Sequence, residues 1–288
     1  MRRRRSLGKS ESSEVTTVAK TTPRRRGRAT TSAPQRPESY TDSWDDLVNS
    51  KVKSHFFKLF EEKIYEMFLQ SSDDPHSNKS QAVITCQPEM PLSVDGFMFS
   101  YKDSNGRFQK EFLPRQTFKG THEECLMDTV YSGLSPEHPA VKGKLIYPCT
   151  RFFIKIRDHR GEWDKDSKEF LDQGVYPEKY MALSSGAFGD LHGSLKSVLD
   201  EDSGERIIQF TDEDGDPIPF CFKYSRTGVK TNTKYTYTVA YSGSMRRGYR
   251  PQEPIDEPSA FPPLAEMMKV PTEENIKFYF EKIGVNWK

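Results

Sequence analysis

From residue 81 onward the apolar residues of this chain recur at every second position, in runs that follow one another with few helices between them. Period two is the spacing of a strand, because successive side chains point to opposite faces of a sheet. "QAVITCQ" (81–87) predicts one strand, and "FMFSYKDSNGRFQKEFL" (97–113) predicts a hairpin turning at Asn105-Gly106. "KGKLIYPCTRFFIKIRD" (142–158) predicts one or two strands, "KYMALS" (179–184) and "RIIQFTD" (206–212) one each. "FCFKYSRTGVKTNTKYTYTVAYSG" (220–243) predicts a second hairpin. Strands that are consecutive rather than separated one by one by helices argue for an α+β fold with an antiparallel, partly closed barrel, not a doubly wound sheet.

Helical spacing appears in four places. Leu47, Val48, Val52, Phe56, Leu59, Phe60, Ile64, Phe68 and Leu69 predict an amphipathic helix over about 44–70, opened by Ser43 and Asp46. Thr121 and Glu124 stand in capping-box order before a short helix. Phe188, Leu191, Leu195, Val198 and Leu199 predict a helix behind Ser184 or Ser185, and Thr272 predicts the cap of a last one. The expected organisation is a disordered basic arm (1–40), an N-terminal helix (41–80), the barrel core (81–243), a linker rich in Pro, Arg and Glu (244–271) and a C-terminal helix (272–288).

Charge divides the same way. Residues 1–40 hold 11 Lys or Arg against 3 Glu, and the remainder holds 32 against 39 Asp or Glu, so a total of +1 hides a basic arm on an acidic body. The arm has almost no bulky apolar residue to offset its ordering entropy, which predicts disorder. It suits an anionic polymer; the body can bind one only through a local basic groove. No apolar run approaches the roughly 18–20 residues that cross a bilayer, and no signal-peptide core follows Met1, so a soluble, unexported protein is expected. Cys86, Cys125, Cys149 and Cys221 are scattered without a CxxC pair, which predicts reduced thiols.

Two constellations point to a binding surface. In the 220–243 hairpin, Phe222, Tyr224 and Arg226 share one strand face, Tyr235 and Tyr237 share another, and Lys230 and Lys234 flank the turn. Alternate residues stand about 6.6 Å apart, a spacing on which the bases of an extended single strand can stack while the cations take phosphates. The same alternation is also that of a barrel's core face. In "YPCTRFFIKIRDHR" (147–160), Arg151, Phe153, Lys155 and Arg157 share one face. His122 and Cys125 supply half a zinc site with no second pair nearby, so no metal or other cofactor is expected. "DEDGDP" (212–217) lacks the oxygen spacing of a calcium loop and reads as a turn. No P-loop, GxSxG, GxGxxG or HExxH is present, and nothing positive points to catalysis.

Three stretches, covering about 81–241, resemble the single-stranded-DNA-binding proteins of tailed bacteriophages. They are "GRFQKEFLPRQTFKGTHEEC", "YPCTRFFIKIRD", and "YMALSSGAFGDLHGSLKSVL" followed by "FCFKYSRTGVKTNTKYTYTV". The resemblance implies an OB-type β-barrel with a cleft for single-stranded DNA, and a basic N-terminal segment that aids cooperative binding. The chain departs from that pattern in having only His122 and Cys125 where the family's zinc-binding insertion stands, and in ending in a helix and "GVNWK" rather than an acidic tail. The reading that follows is a non-catalytic single-stranded-DNA-binding protein of viral DNA replication or recombination. Its expected partners are single-stranded DNA, further copies of itself, and replication or recombination proteins. Its expected place is the cytoplasm of an infected cell, or the nucleus of a eukaryotic host. The alternatives are a packaging protein with an arginine arm and an OB-type subunit of a replication or transcription complex.

Overall fold

The computed structural model describes residues 57–61, 63–72, 77, 79–103, 105–119, 124–171, 174–200, 203–229, 232–240 and 254–286. In chain order the elements are β1 (Tyr65–Glu66), β2 (Gln81–Cys86), β3 (Leu92–Lys102), β4 (Phe108–Pro114), α1 (Leu126–Ser132) and α2 (Pro139–Lys142). β5 (Ile146–Asp158), β6 (Glu162–Asp164), β7 (Glu169–Leu171), β8 (Glu178–Ser184) and α3 (Ser185–Lys196) follow. β9 (Phe220–Thr227), β10 (Lys234–Val239), α4 (Leu264–Met267) and α5 (Glu273–Lys282) complete the order.

The α+β class stands. Eight of the strands form one sheet along the path β1-β8-β5-β2-β9-β10, with β3 and β4 branching from β5, and β6 pairs only β7. β5 is the axis. Along one edge its residues 146–153 pair with β3 and its residues 156–158 with β2, while 151–157 pair with β8 along the other edge. Every pairing is antiparallel except β1 with β8. Among the described residues neither β4, β1 nor β10 pairs onward, so the sheet they form does not close into a barrel.

Local chemistry explains most of these elements. Gly106 takes a φ of 74° in the β3–β4 turn, and Asp103 Oδ1 accepts the amides of Asn105 and Arg107 at 2.9 and 2.8 Å. Gly96 pairs with Pro114 on one side and Cys149 on the other, and a Cβ there would collide with the Leu113 carbonyl and the Phe112 ring. Only glycine lets β4 lie that close. Ser184 caps α3 by accepting the Ala187 amide at 3.3 Å, and Thr272 with Asn275 forms a reciprocal capping box on α5.

Four expectations differ. Among the described residues of 44–70 there is no helix: Phe57, Phe60, Ile64, Met67 and Leu69 are all buried, but in an irregular segment whose residues 65–66 add to β8. Residues 44–56 lie outside the described residues, as does the arm. α1 starts from Cys125, which offers no side-chain cap, so Glu124 is not part of a capping box. The stretch 206–212 forms only isolated bridges, Leu199 with Arg206 and Thr211 with Pro217. The described part of the expected linker, 254–271, packs on the sheet, with Leu264, Met267 and Met268 in a core shared with Phe60, Ile64 and Phe153.

Two buried cations of β5 tie that C-terminal segment down. Lys155, 2% exposed, reaches Ser259 Oγ at 3.2 Å, the Phe261 carbonyl at 3.0 Å, the Pro262 carbonyl at 2.7 Å and Glu89 at 3.0 Å. Arg157 donates to the Glu257 carboxylate at 2.8 Å and to the carbonyls of Glu257 and Pro258. Removing one partner of a buried charged pair costs about 3–5 kcal/mol, because the other is left uncompensated. Lys155→Ala is therefore expected to lower stability by about that amount in chemical denaturation and to open residues 254–262 to proteolysis. Unchanged stability and unchanged cleavage would show that Lys155 does not anchor the segment.

Candidate functional site

Cross-strand register decides which rings of the β9–β10 hairpin meet. Phe222 lies opposite Val239, Tyr224 opposite Tyr237 and Arg226 opposite Tyr235, so all six share one face. That face is a core face. Leu191 and Leu195 of α3 belong to the same cluster as Phe222, Tyr224, Tyr237 and Val239, and all of them are buried. Phe222, Tyr224 and Tyr237 are therefore core residues and not part of a wet stacking platform. Phe153 is likewise 1% exposed, packed edge-on against Phe60. Lys155 spends its ammonium on Ser259, Phe261, Pro262 and Glu89, which removes it from any role on phosphates. Arg226 donates to the Leu69 carbonyl at 2.7 Å and so pins the segment that follows β1.

What remains outside is specific. The rings of Tyr237 and Tyr224 are stacked at 5.3 Å with an interplanar angle of 3°, and Tyr224 and Tyr235 are stacked at 5.5 Å and 23°. Two members of this tyrosine column are buried; the third, Tyr235, is 44% exposed and sits beside exposed Lys234. Burial, followed by the charges of Asp190 and Tyr235, pushes the Tyr237 hydroxyl up to about 12. Burial also drives Tyr224 upward, so both stay neutral hydroxyls at ordinary pH. Lys230 lies outside the described residues. Arg151 is half-buried and belongs to a different place, the wall of a cleft.

That cleft, of about 860 Å³, lies over the face of β3, β5 and β8 that carries Met98, Phe153 and Ala182. β4 residues 109–112 line it, and so do residues 65, 66 and 68 in and beside β1. Two edge strands of the open sheet thus contribute to one concavity. Burial pushes the Glu66 carboxyl up to about 7, against the pull of Arg151. Burial, with the charge of Glu66 added, pushes Glu111 up to about 7 as well. Tyr180, raised first by burial and then by both glutamates, shares their surroundings.

No protein-family model matches the chain, and no curated protein matches it. The resemblance to the phage proteins thus rests on the quoted stretches alone.

The remaining candidates are simpler. His122 lies outside the described residues, and Cys125 is buried at the start of α1. Among the described residues no three His, Cys, Asp or Glu side chains come together to hold a metal ion. "DEDGDP" is a turn: Asp212 Oδ1 accepts the amides of Asp214 at 3.0 Å and Asp216 at 2.8 Å, with Gly215 at a φ of 88°. The four cysteines are free. Glu66, Glu111 and Tyr180 were not singled out by the sequence. Glu66 fell within the expected helix, and Glu111 looked like one polar residue of an alternating strand; no motif marks either.

The raised carboxyls make stability depend on pH. A folded-state value above the ordinary carboxylate value means that ionisation costs more in the folded protein than in the unfolded chain. The stability linked to Glu66 and Glu111 is therefore fullest below the ordinary value of 4.5 and declines as pH rises through about 7. Glu66→Gln and Glu111→Gln are each expected to raise the melting temperature at pH 8 and to leave it nearly unchanged at pH 4. Thermal melts across that range check it, and an equal shift at both pH values would contradict it.

Proposed function

We propose that the protein binds single-stranded nucleic acid without catalysing a reaction, with Tyr235 as a stacking ring and Lys234 beside it as a phosphate contact. The observation that carries this reading is the tyrosine column that opens to solvent at Tyr235. A nucleobase laid on Tyr235 would extend an existing stack, and stacking on an aromatic ring contributes roughly 1–3 kcal/mol whatever the base. Further cations for the backbone, besides Lys234, come from segments outside the sheet. They are the 11 Lys or Arg of residues 1–40, together with Arg246, Arg247 and Arg250, which follow β10 in the chain.

The likeness to phage proteins favours single-stranded DNA over RNA and a place in viral DNA replication or recombination. Further copies of the chain and other replication or recombination proteins are then its partners, in the cytoplasm of the infected cell. Among the described residues no helix is long and apolar enough to cross a membrane. An OB-type ancestry belongs to this proposal too: it takes the curved unit of β4, β3, β5, β8 and β1 as a barrel wall left open between β1 and β4.

Titration of single-stranded and duplex oligonucleotides across a salt series tests the reading. Tyr235→Ala is expected to weaken single-strand binding by roughly 1–3 kcal/mol while stability moves by less than about 0.5 kcal/mol, since the ring is half exposed. Replacing Arg24, Arg25, Arg26 and Arg28 with Gln is expected to reduce the log–log salt slope by up to about three units. Full affinity in Tyr235→Ala, or an equal preference for duplex, would remove the column from the binding surface.

A further inference from the structure

The cleft between β1 and β4 is not explained by nucleic-acid binding, and its composition argues against it. Its walls carry Lys58, Lys110 and Arg151 against Glu61, Glu66 and Glu111, three charges of each sign. With Glu66 and Glu111 each pushed up to about 7, the cleft carries only a small net charge at neutral pH, little for a polyanion or a polycation to read. Yet it is rich in groups that need a partner. The carboxyl of neither Glu66 nor Glu111 has a hydrogen bond or ion pair with a described residue, although both residues are partly buried. Tyr65 and Phe68, on either side of Glu66, are 66% and 65% exposed and line the same concavity. Large rings held in water beside polar groups mark a surface that something covers.

We propose that this cleft binds a neutral oligosaccharide. A sugar ring presents a flat face of C–H groups, apolar enough to lie on Tyr65 or Phe68, and a rim of hydroxyls that both donate and accept. The guanidinium of Arg151 and the carboxyls of Glu66 and Glu111 are planar forks, each able to engage two adjacent hydroxyls at once. Carboxyls that titrate near neutrality are present in both forms there, so between them they can accept from one hydroxyl and donate to the next. The small net charge favours an uncharged ligand, and about 860 Å³ leaves room for several sugar units rather than one. This site is independent of the tyrosine column and stands or falls separately from it.

The competing occupant of such a groove is a basic peptide strand added to the unpaired edge of β4. Calorimetric titration of the full chain with maltotetraose, cellotetraose, tetra-N-acetylchitotetraose and tetra-lysine separates the two. Saturable binding of at least one tetrasaccharide is expected, weakened about tenfold or more by Tyr65→Ala and by Phe68→Ala and unaltered by Tyr235→Ala. Both rings are two-thirds exposed, so melting temperatures should stay within a degree or two of the parent's, which keeps the loss from being one of folding. The proposal is overturned by the absence of saturable binding to all three sugars at millimolar concentration. It is equally overturned by sugar binding that both alanine variants leave intact, or by saturation with tetra-lysine alone.

Discussion

Two cations on the inner stretch of β5 organise the molecule. Lys155 and Arg157 project from the same strand face as Phe153 into a region without bulk water, where an unpaired charge would cost several kcal/mol. Their partners are mostly backbone carbonyls of residues 257–262, a segment a hundred residues later in sequence. Carbonyls that ligate a buried ammonium have to be delivered in a fixed geometry, so the C-terminal segment is held across the sheet as an extended strap. Once there, it seats Leu264, Met267 and Met268 on Phe153 and leads into α5, whose Tyr279 and Phe280 close a second core against Phe99. A polar requirement at two residues thus positions a large part of the apolar burial.

The same strap explains where the molecule is open. One face of β3, β5 and β8 is covered by residues 57–64 and 261–270, and the other by α3 and α5. The uncovered part is the concavity between β1 and β4, where the sheet curves but no strand completes it. Like charges contribute there: Glu66 and Glu111 approach from the two edges, and each ionised carboxyl disfavours ionisation of the other. Asp158 shows the contrasting solution. Burial alone would raise it, but Arg160 at 2.8 Å and Lys179 at 2.6 Å hold its carboxyl below the usual carboxylate range. Partnered, a buried acid is locked as an anion; without partners it is left near neutrality and available to something else.

Most of the strands were legible because alternation survives whichever way a strand faces. β2, both hairpins and β8 follow the period-two runs, and α3 and α5 begin at the Ser and Thr that the capping rule picks out. Facing was not legible. Phe222, Tyr224 and Tyr237 alternate as they would on a wet platform, yet the register sets them under α3, and nothing within the hairpin itself says that a helix formed by residues 185–196 will cover it. Lys155 and Arg157 looked like a basic outer face because their partners lie a hundred residues away. The apolar spacing of 57–69 mimicked a helix because an irregular segment lying on the sheet also buries a residue every two to four positions. Glu66 and Glu111 become a pair only through the curvature of the sheet, which no local pattern encodes.

Several cations of the folded body are committed to its own oxygens. Arg115 holds Asp128 at 2.8 Å, Arg226 holds the Leu69 carbonyl, and Arg160 holds Asp158. Lys155 and Arg157 hold the strap. A cation so engaged could contact a phosphate only by giving up an oxygen already paid for in desolvation, and the exchange would loosen the fold as it gained a ligand. Exposed cations such as Lys234 remain free for a phosphate, and segments that do not build the sheet supply more. The sequence places a surplus of them at residues 1–40 and three more arginines, Arg246, Arg247 and Arg250, after the end of β10. Under the proposed reading an acidic body joined to basic segments would divide the work: the body would supply one oriented ring, and the segments charge without any cost to the core.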